Sequence, residues 1–297
     1  MTEPFRPPTP TLSAAVLAAI RRKALDVPYA GESASQTLDI YWPNQGTGPF
    51  PTVVYLHGGA FRFGDKRDFS LEPILTALDR GYVVVSAEYR KSGEARFPAM
   101  VYDGKAVLRF LRARAGEWDL DPRRFAAWGP SSGGWLVSML GLTAGNPAFE
   151  DPGQGSAGLS SEVQAVVDWC GPCGGFLEMD RAFRHSGLGP ADHDNADSPE
   201  SLFLGAQITG LPELCRMACP MTYVSPAAPP FLILHGGADP VVPVEQSQAL
   251  ANALSAAAGP DRVRLHIAEG MGHHGDPWYG EPWVMKLCLD FLDEVLK

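Results

Sequence analysis

Apolar residues in this 297-residue chain follow two rhythms. Thr52-Val-Val-Tyr-Leu-His57, Tyr82-Val-Val-Val-Ser-Ala87, Val163-Gln-Ala-Val-Val-Asp-Trp169 and Pro230-Phe-Leu-Ile-Leu-His235 are short, nearly unbroken apolar runs. That pattern belongs to strands covered on both faces. Arg124–Trp128 and Val263–Ile267 read as further strands, and Gln36–Trp42 alternates like an edge strand. Between them lie segments with helical spacing. These are Leu71–Leu78, a helix opened by Pro98 that runs to Arg114, Glu245–Ala256 and Pro282–Leu296. In the last, Val284, Leu287, Cys288, Phe291, Leu292 and Val295 recur at i, i+3, i+4 and i+7, a core-facing stripe.

Strands alternating with helices predict an α/β fold whose mostly parallel sheet carries helices on both faces. Active groups are then expected in loops at the carboxyl ends of the strands. We read residues 1–297 as one domain. Within it the Gly-, Pro- and Asp-rich stretch 171–224 is the expected small irregular cap or substrate-shaping insertion.

Composition narrows the classes of function. A formal charge of -10 and no basic cluster speak against a nucleic-acid partner. No apolar run is long enough for a bilayer, so no membrane partner is expected. Met1–Pro8 lacks a basic region ahead of the apolar Ala14–Ile20 stretch, which ends in Arg21-Arg22-Lys23. That is the wrong polarity for a secretory signal. The stretch reads instead as a short helix started by Thr11 or Ser13. Five cysteines do not suggest a disulfide framework. A cytoplasmic location is the default, unless a leader has already been removed. A homodimer is left open.

Candidate chemistry centres on Gly129-Pro-Ser131-Ser-Gly133, set between a strand and a helix-like run. This is the G-x-S-x-G pattern of a sharp turn that lifts a serine oxygen above a sheet. Ser131 keeps both glycines, whereas centring the pattern on Ser132 would put Pro130 at the first position. Two other stretches supply partners. Asp239, in Gly236-Gly-Ala-Asp-Pro240, lies just beyond a strand end, where a carboxylate can orient a histidine. His273, in Glu269-Gly-Met-Gly-His-His-Gly-Asp276, follows the last strand and is preferred over His274 as general base. His57-Gly-Gly-Ala-Phe61 follows the first buried strand. The N–H groups of Gly58 and Gly59, with that of Ser132, are assigned to an oxyanion hole. His57 itself reads as a structural histidine. The order Ser131, Asp239, His273 is that of α/β-hydrolases.

With these motifs in place, the chain resembles bacterial α/β-hydrolase carboxylesterases related to hormone-sensitive lipases, a group that includes acetyl-xylan and feruloyl esterases. Further carriers of the resemblance are Gly64-Asp-Lys66, Glu88-Tyr-Arg90, Phe97-Pro98, Asp197–Ser201, Tyr223–Pro226 and His235–Pro240. The resemblance implies an eight-stranded sheet, a small-molecule ester substrate, and hydrolysis without metal or cofactor. It places the catalytic serine, aspartate and histidine on Ser131, Asp239 and His273. Ala60 and Phe61 depart from the third glycine and the tryptophan of the family pattern, and His274 stands where glycine is usual. Ala60, Phe61, Trp135, Trp169, Phe176 and Trp278 are the candidate lining of an acyl or alcohol pocket.

Two features point elsewhere. Trp169-Cys-Gly-Pro-Cys173 spells a thioredoxin-like dithiol, and a redox protein using Cys170 and Cys173 is the outlying alternative. Cys215 and Cys219 make a four-cysteine zinc site conceivable, at a spacing unlike the usual knuckle. The leading expectation is a serine carboxylesterase acting on short-chain or aryl esters. A peptidase or amidase on the same fold is the alternative.

Overall fold

The computed structural model describes residues 11–274 and 277–297. The Met1–Pro8 reading and the Gly275-Asp276 end of the histidine loop lie outside these residues. Eight strands form one sheet: β1 (Lys23–Pro28), β2 (Thr37–Tyr41), β3 (Phe50–Leu56), β4 (Val83–Ala87), β5 (Leu120–Pro130), β6 (Ala165–Trp169), β7 (Phe231–Gly236) and β8 (Val263–Ala268). Their spatial order is β1-β2-β4-β3-β5-β6-β7-β8. β1 pairs antiparallel with β2, and β2 antiparallel with β4; every other pairing is parallel. This is the mostly parallel sheet that the apolar runs predict.

The unbroken runs have a direct cause. Within β3, Val54 and Leu56 face one apolar layer, while Val53 and Tyr55 face the other. Helices α3 (Ala99–Ala113), α4 (Ser132–Leu142) and α8 (Glu245–Ala258) cover the first layer. The C-terminal α9 (Pro282–Leu296), with α2 (Leu71–Ile74) and its 3₁₀ extension Leu75–Arg80, covers the second. Short helix α1 (Ala14–Ala19) is capped by the Ser13 side chain, which accepts from Val16 N.

Two sequence readings need correction. Gln36–Trp42 is not an edge strand, because Lys23–Pro28 pairs along its outer side. The alternation misled because Asp39, which reads as solvent-facing, is fully buried. Arg67 holds its carboxylate at 2.5 Å and 2.9 Å. Second, stretch 171–224 is not irregular: it holds α5 (Met179–Ser186), α6 (Pro199–Leu204) and α7 (Pro212–Met217). These helices are too short for periodicity to show. Local stops define them, namely the Ser198 side chain at the start of α6 and left-handed Gly187 and Gly205 after α5 and α6.

Candidate active site

Ser131 sits between β5 and α4 with φ 54° and ψ -124°, a conformation rare for a residue with a side chain. The turn closes because its glycines let backbone meet backbone. A Cβ on Gly133 would lie 2.2 Å from Leu56 O, so nothing larger fits where α4 starts against the end of β3. Ser131 N donates to Trp169 O at 2.7 Å, pinning the turn to β6. The outcome is a serine oxygen presented at the carboxyl edge of the central strands.

Two loops from the same edge meet it. His273 Nε2 lies 3.0 Å from Ser131 Oγ, and His273 Nδ1 lies 2.6 Å from Asp239 Oδ2. Asp239 is almost wholly buried, and its other oxygen accepts Val241 N at 2.8 Å and Val242 N at 2.9 Å. Burial alone would raise the Asp239 pKa; hydrogen bonds from His235 and His273 overcome it and hold the carboxyl below its ordinary range. His273 moves the other way. Burial disfavours its charged form, but the Cys170 sulfur and the Asp239 carboxylate raise its pKa above the ordinary value. The charged form of the His273 ring is therefore stabilised in place.

The second His-Gly-Gly triplet buttresses Asp239. His235 is buried, with Nδ1 2.7 Å from Ser247 Oγ and Nε2 2.9 Å from Val242 O and 3.2 Å from Asp239 Oδ2. His57 is a strut as well. Its Nδ1 meets Gly58 O at 2.7 Å and its Nε2 meets Glu88 Oε1 at 2.9 Å. Both partners are acceptors, so the ring is satisfied as an imidazolium, and the charge of Glu88 raises its pKa against the cost of burial. Tyr89 stacks on it and donates to His57 O at 2.6 Å.

Glu88 is the residue that sequence reasoning left without a role. Burial disfavours its charge, yet His57 and Lys91 hold its pKa at about 2, against an ordinary 4.5. A depressed carboxyl contributes stability that is present above the unfolded value and lost as pH falls through the folded one. Glu88→Gln should therefore cost roughly 3 kcal/mol at neutral pH. The gap to the parent protein should close as pH falls from 4.5 towards 2. Urea unfolding across that range checks it; a constant gap would refute it.

The loop that His57 supports runs over the serine turn. A Cβ on Gly58 would lie 2.9 Å from Pro130 O, which places the loop against the peptide preceding Ser131. Gly59 has φ 126°, and a Cβ there would meet Phe63 O at 2.3 Å. Among the described residues the N–H groups of Gly58 and Gly59 meet no backbone acceptor. Ser132 opens α4, where an N–H has no partner in its own helix. Ala60 and Phe61, two of the departures from the family pattern, both take positive φ, 53° and 60°.

The candidate pocket residues divide. Phe61, Trp135 and Phe176 come together with Phe203, and the Phe61 and Phe203 rings stack at 4.4 Å. Trp169 and Trp278 do not join them. They lie in the opposite apolar layer, where Trp169 packs on Trp128 and Tyr279. The dithiol reading fails on geometry. All five cysteines are free. The Cys173 thiol points to Asp168 Oδ2 at 3.4 Å, while Cys170 turns toward His273.

Residues 38–254 match the BD-FAE family model, a span that includes Ser131 and Asp239 and stops short of His273. Esterase LipC of Mycobacterium tuberculosis is 30% identical over 247 residues, covering 83% of this chain and 58% of LipC. The chain spans about half the length of the curated relatives it matches, at 58%, 52% and 51%. Among solved structures, a truncated carbohydrate esterase from gut microbiota superposes with a TM-score of 0.81 at 28% identity, over 96% of this chain and 98% of that one. A bifunctional GH43-CE protein of Bacteroides eggerthii gives 0.78 at 30% identity, over 93% of this chain and 35% of that one. No helix among the described residues is long and apolar enough to cross a membrane. A strained serine on a strand-to-helix turn, an eight-stranded mostly parallel sheet and a family match over most of the length converge: the chain has the α/β-hydrolase fold and belongs to the BD-FAE family.

Proposed function

We propose that the protein is a serine carboxylesterase that acts through an acyl-enzyme on Ser131. One observation carries this, the continuous chain from Ser131 Oγ through His273 to Asp239. As Ser131 Oγ attacks the ester carbonyl, His273 Nε2 takes its proton, and Asp239 holds the imidazolium by Nδ1. The N–H groups of Gly58, Gly59 and Ser132 receive the oxyanion. His273 then returns the proton to the leaving alcohol, and water repeats the sequence on the acyl-serine. The likeness to a carbohydrate esterase and to a GH43-CE protein supports an acetylated or feruloylated polysaccharide fragment as substrate. The stretch 171–224 would act as the cap, since Phe176 and Phe203 belong to it.

Short acyl groups fit the aromatic cluster best. Phe61 is packed rather than exposed, which leaves its ring filling space instead of lining a long channel. Turnover of p-nitrophenyl esters should fall at least about tenfold in kcat/KM from acetate to octanoate. Methyl ferulate in the same assay tests the aryl acyl group, and the matching anilide tests amide cleavage. Faster turnover of octanoate, or of the anilide, would overturn this substrate assignment.

A further inference from the structure

Cys170 follows β6 with φ 47°, and its side chain is fully buried. Its sulfur and one ring nitrogen each of His273 and His274 all lie within 4.8 Å of one another. The sequence prefers His273 to His274 as base and offers a Cys170 dithiol only as an outlying alternative; neither reading explains why the three converge. One further polar atom stands unexplained here. His274 Nδ1 is buried without a hydrogen-bond partner among the described residues. Tyr279, 4% exposed, directs its hydroxyl at the Cys170 sulfur.

We propose that Cys170, His273 and His274 form a site for a borderline-soft divalent cation, with Zn²⁺ as the type, and that its occupation switches the enzyme off. One thiolate and two imidazoles are a donor set that zinc accepts, with a fourth position left for water. Tetrahedral zinc needs donors about 3.5 Å apart, so small side-chain shifts close the site. The outer shell is already present, because His273 Nδ1 is 2.6 Å from Asp239, the carboxylate–histidine pairing that orients a metal-bound ring. While that contact holds, the nitrogen left for a metal is Nε2, the atom 3.0 Å from Ser131 Oγ. One lone pair cannot both hold the metal and take the serine proton. Binding replaces the Cys170 S–H bond by a sulfur–metal bond, and the proton leaves to solvent.

The inhibitory half of this proposal rests on His273 acting as base; the site itself does not. The test uses the purified 297-residue chain, first made metal-free with EDTA. Titrated Co²⁺ should give a thiolate-to-metal charge-transfer band at one equivalent, and Zn²⁺ should displace it. Cys170→Ser should abolish the band and His274→Gln should weaken binding by about 10- to 100-fold, while Ser131→Ala leaves both intact. Circular dichroism confirms that each variant is folded, and either variant alone is sufficient. Zn²⁺ should inhibit p-nitrophenyl acetate hydrolysis with the midpoint of Co²⁺ displacement, and EDTA should reverse it. A band that survives Cys170→Ser, or binding equally tight in both variants, overturns the site. Stoichiometric binding with full turnover overturns the switch. A band in a protein that shows no ester turnover when metal-free refutes the esterase reading and leaves the site standing.

Discussion

Ser131→Ala is expected to lower kcat for p-nitrophenyl acetate by about 10⁴- to 10⁶-fold, because no other group is placed to form the acyl intermediate. Ser132 cannot substitute. Its side chain is buried, and His273 Nε2 is directed at Ser131. KM should change little, since the variant retains the Gly58–Gly59 loop and the aromatic cluster. Stability should hold within about 1 kcal/mol, because alanine inherits the same strained backbone and loses only one hydroxyl. Intact-mass measurement after mixing with a slowly deacylating ester gives a second readout. The parent protein should gain one acyl group and the variant none. Retention of more than about 1% of kcat would remove Ser131 from the mechanism.

The parts of this fold that were legible are those whose physics is local. A parallel strand covered on both faces must be apolar throughout, so β3, β4, β6 and β7 announce themselves, and α9 does so through its stripe. The serine turn was legible for a related reason: its close backbone contacts demand glycine at set offsets from Ser131. What stayed hidden depends on partners distant in sequence. Lys23–Pro28 is half exposed and mixed in character, and only pairing with β2 makes it a strand. Asp39 looks polar and outward until Arg67 arrives from a later loop. Cys170 and Cys173 spell a dithiol by letter, yet the turn at Gly171 sends one thiol toward Asp168 and the other toward a histidine loop after β8. Glu88 carried no local signal, since its work is done on His57 across two neighbouring parallel strands.

Asp239→Asn separates orientation from mere presence of the third group, and it should cost about 10⁴-fold in kcat/KM. The carboxylate oxygen Oδ1 accepts two backbone N–H groups, from Val241 and Val242. An asparagine must keep its carbonyl oxygen there, because turning the amide nitrogen toward two donors would leave all three unpaired. The amide N–H then faces His273 Nδ1, which must accept. That forces the ring proton onto Nε2, where it points at Ser131 Oγ, and the imidazole no longer offers the lone pair that takes the serine proton. Raising the pH should not restore activity, since the variant lacks the right tautomer rather than the right charge. With the loop hydrogen bonds retained, urea unfolding should shift by no more than about 1 to 2 kcal/mol, whereas Asp239→Ala should cost more by stranding Val241 N and Val242 N. A loss below about tenfold in the asparagine variant would mean that His273 is oriented by something other than Asp239.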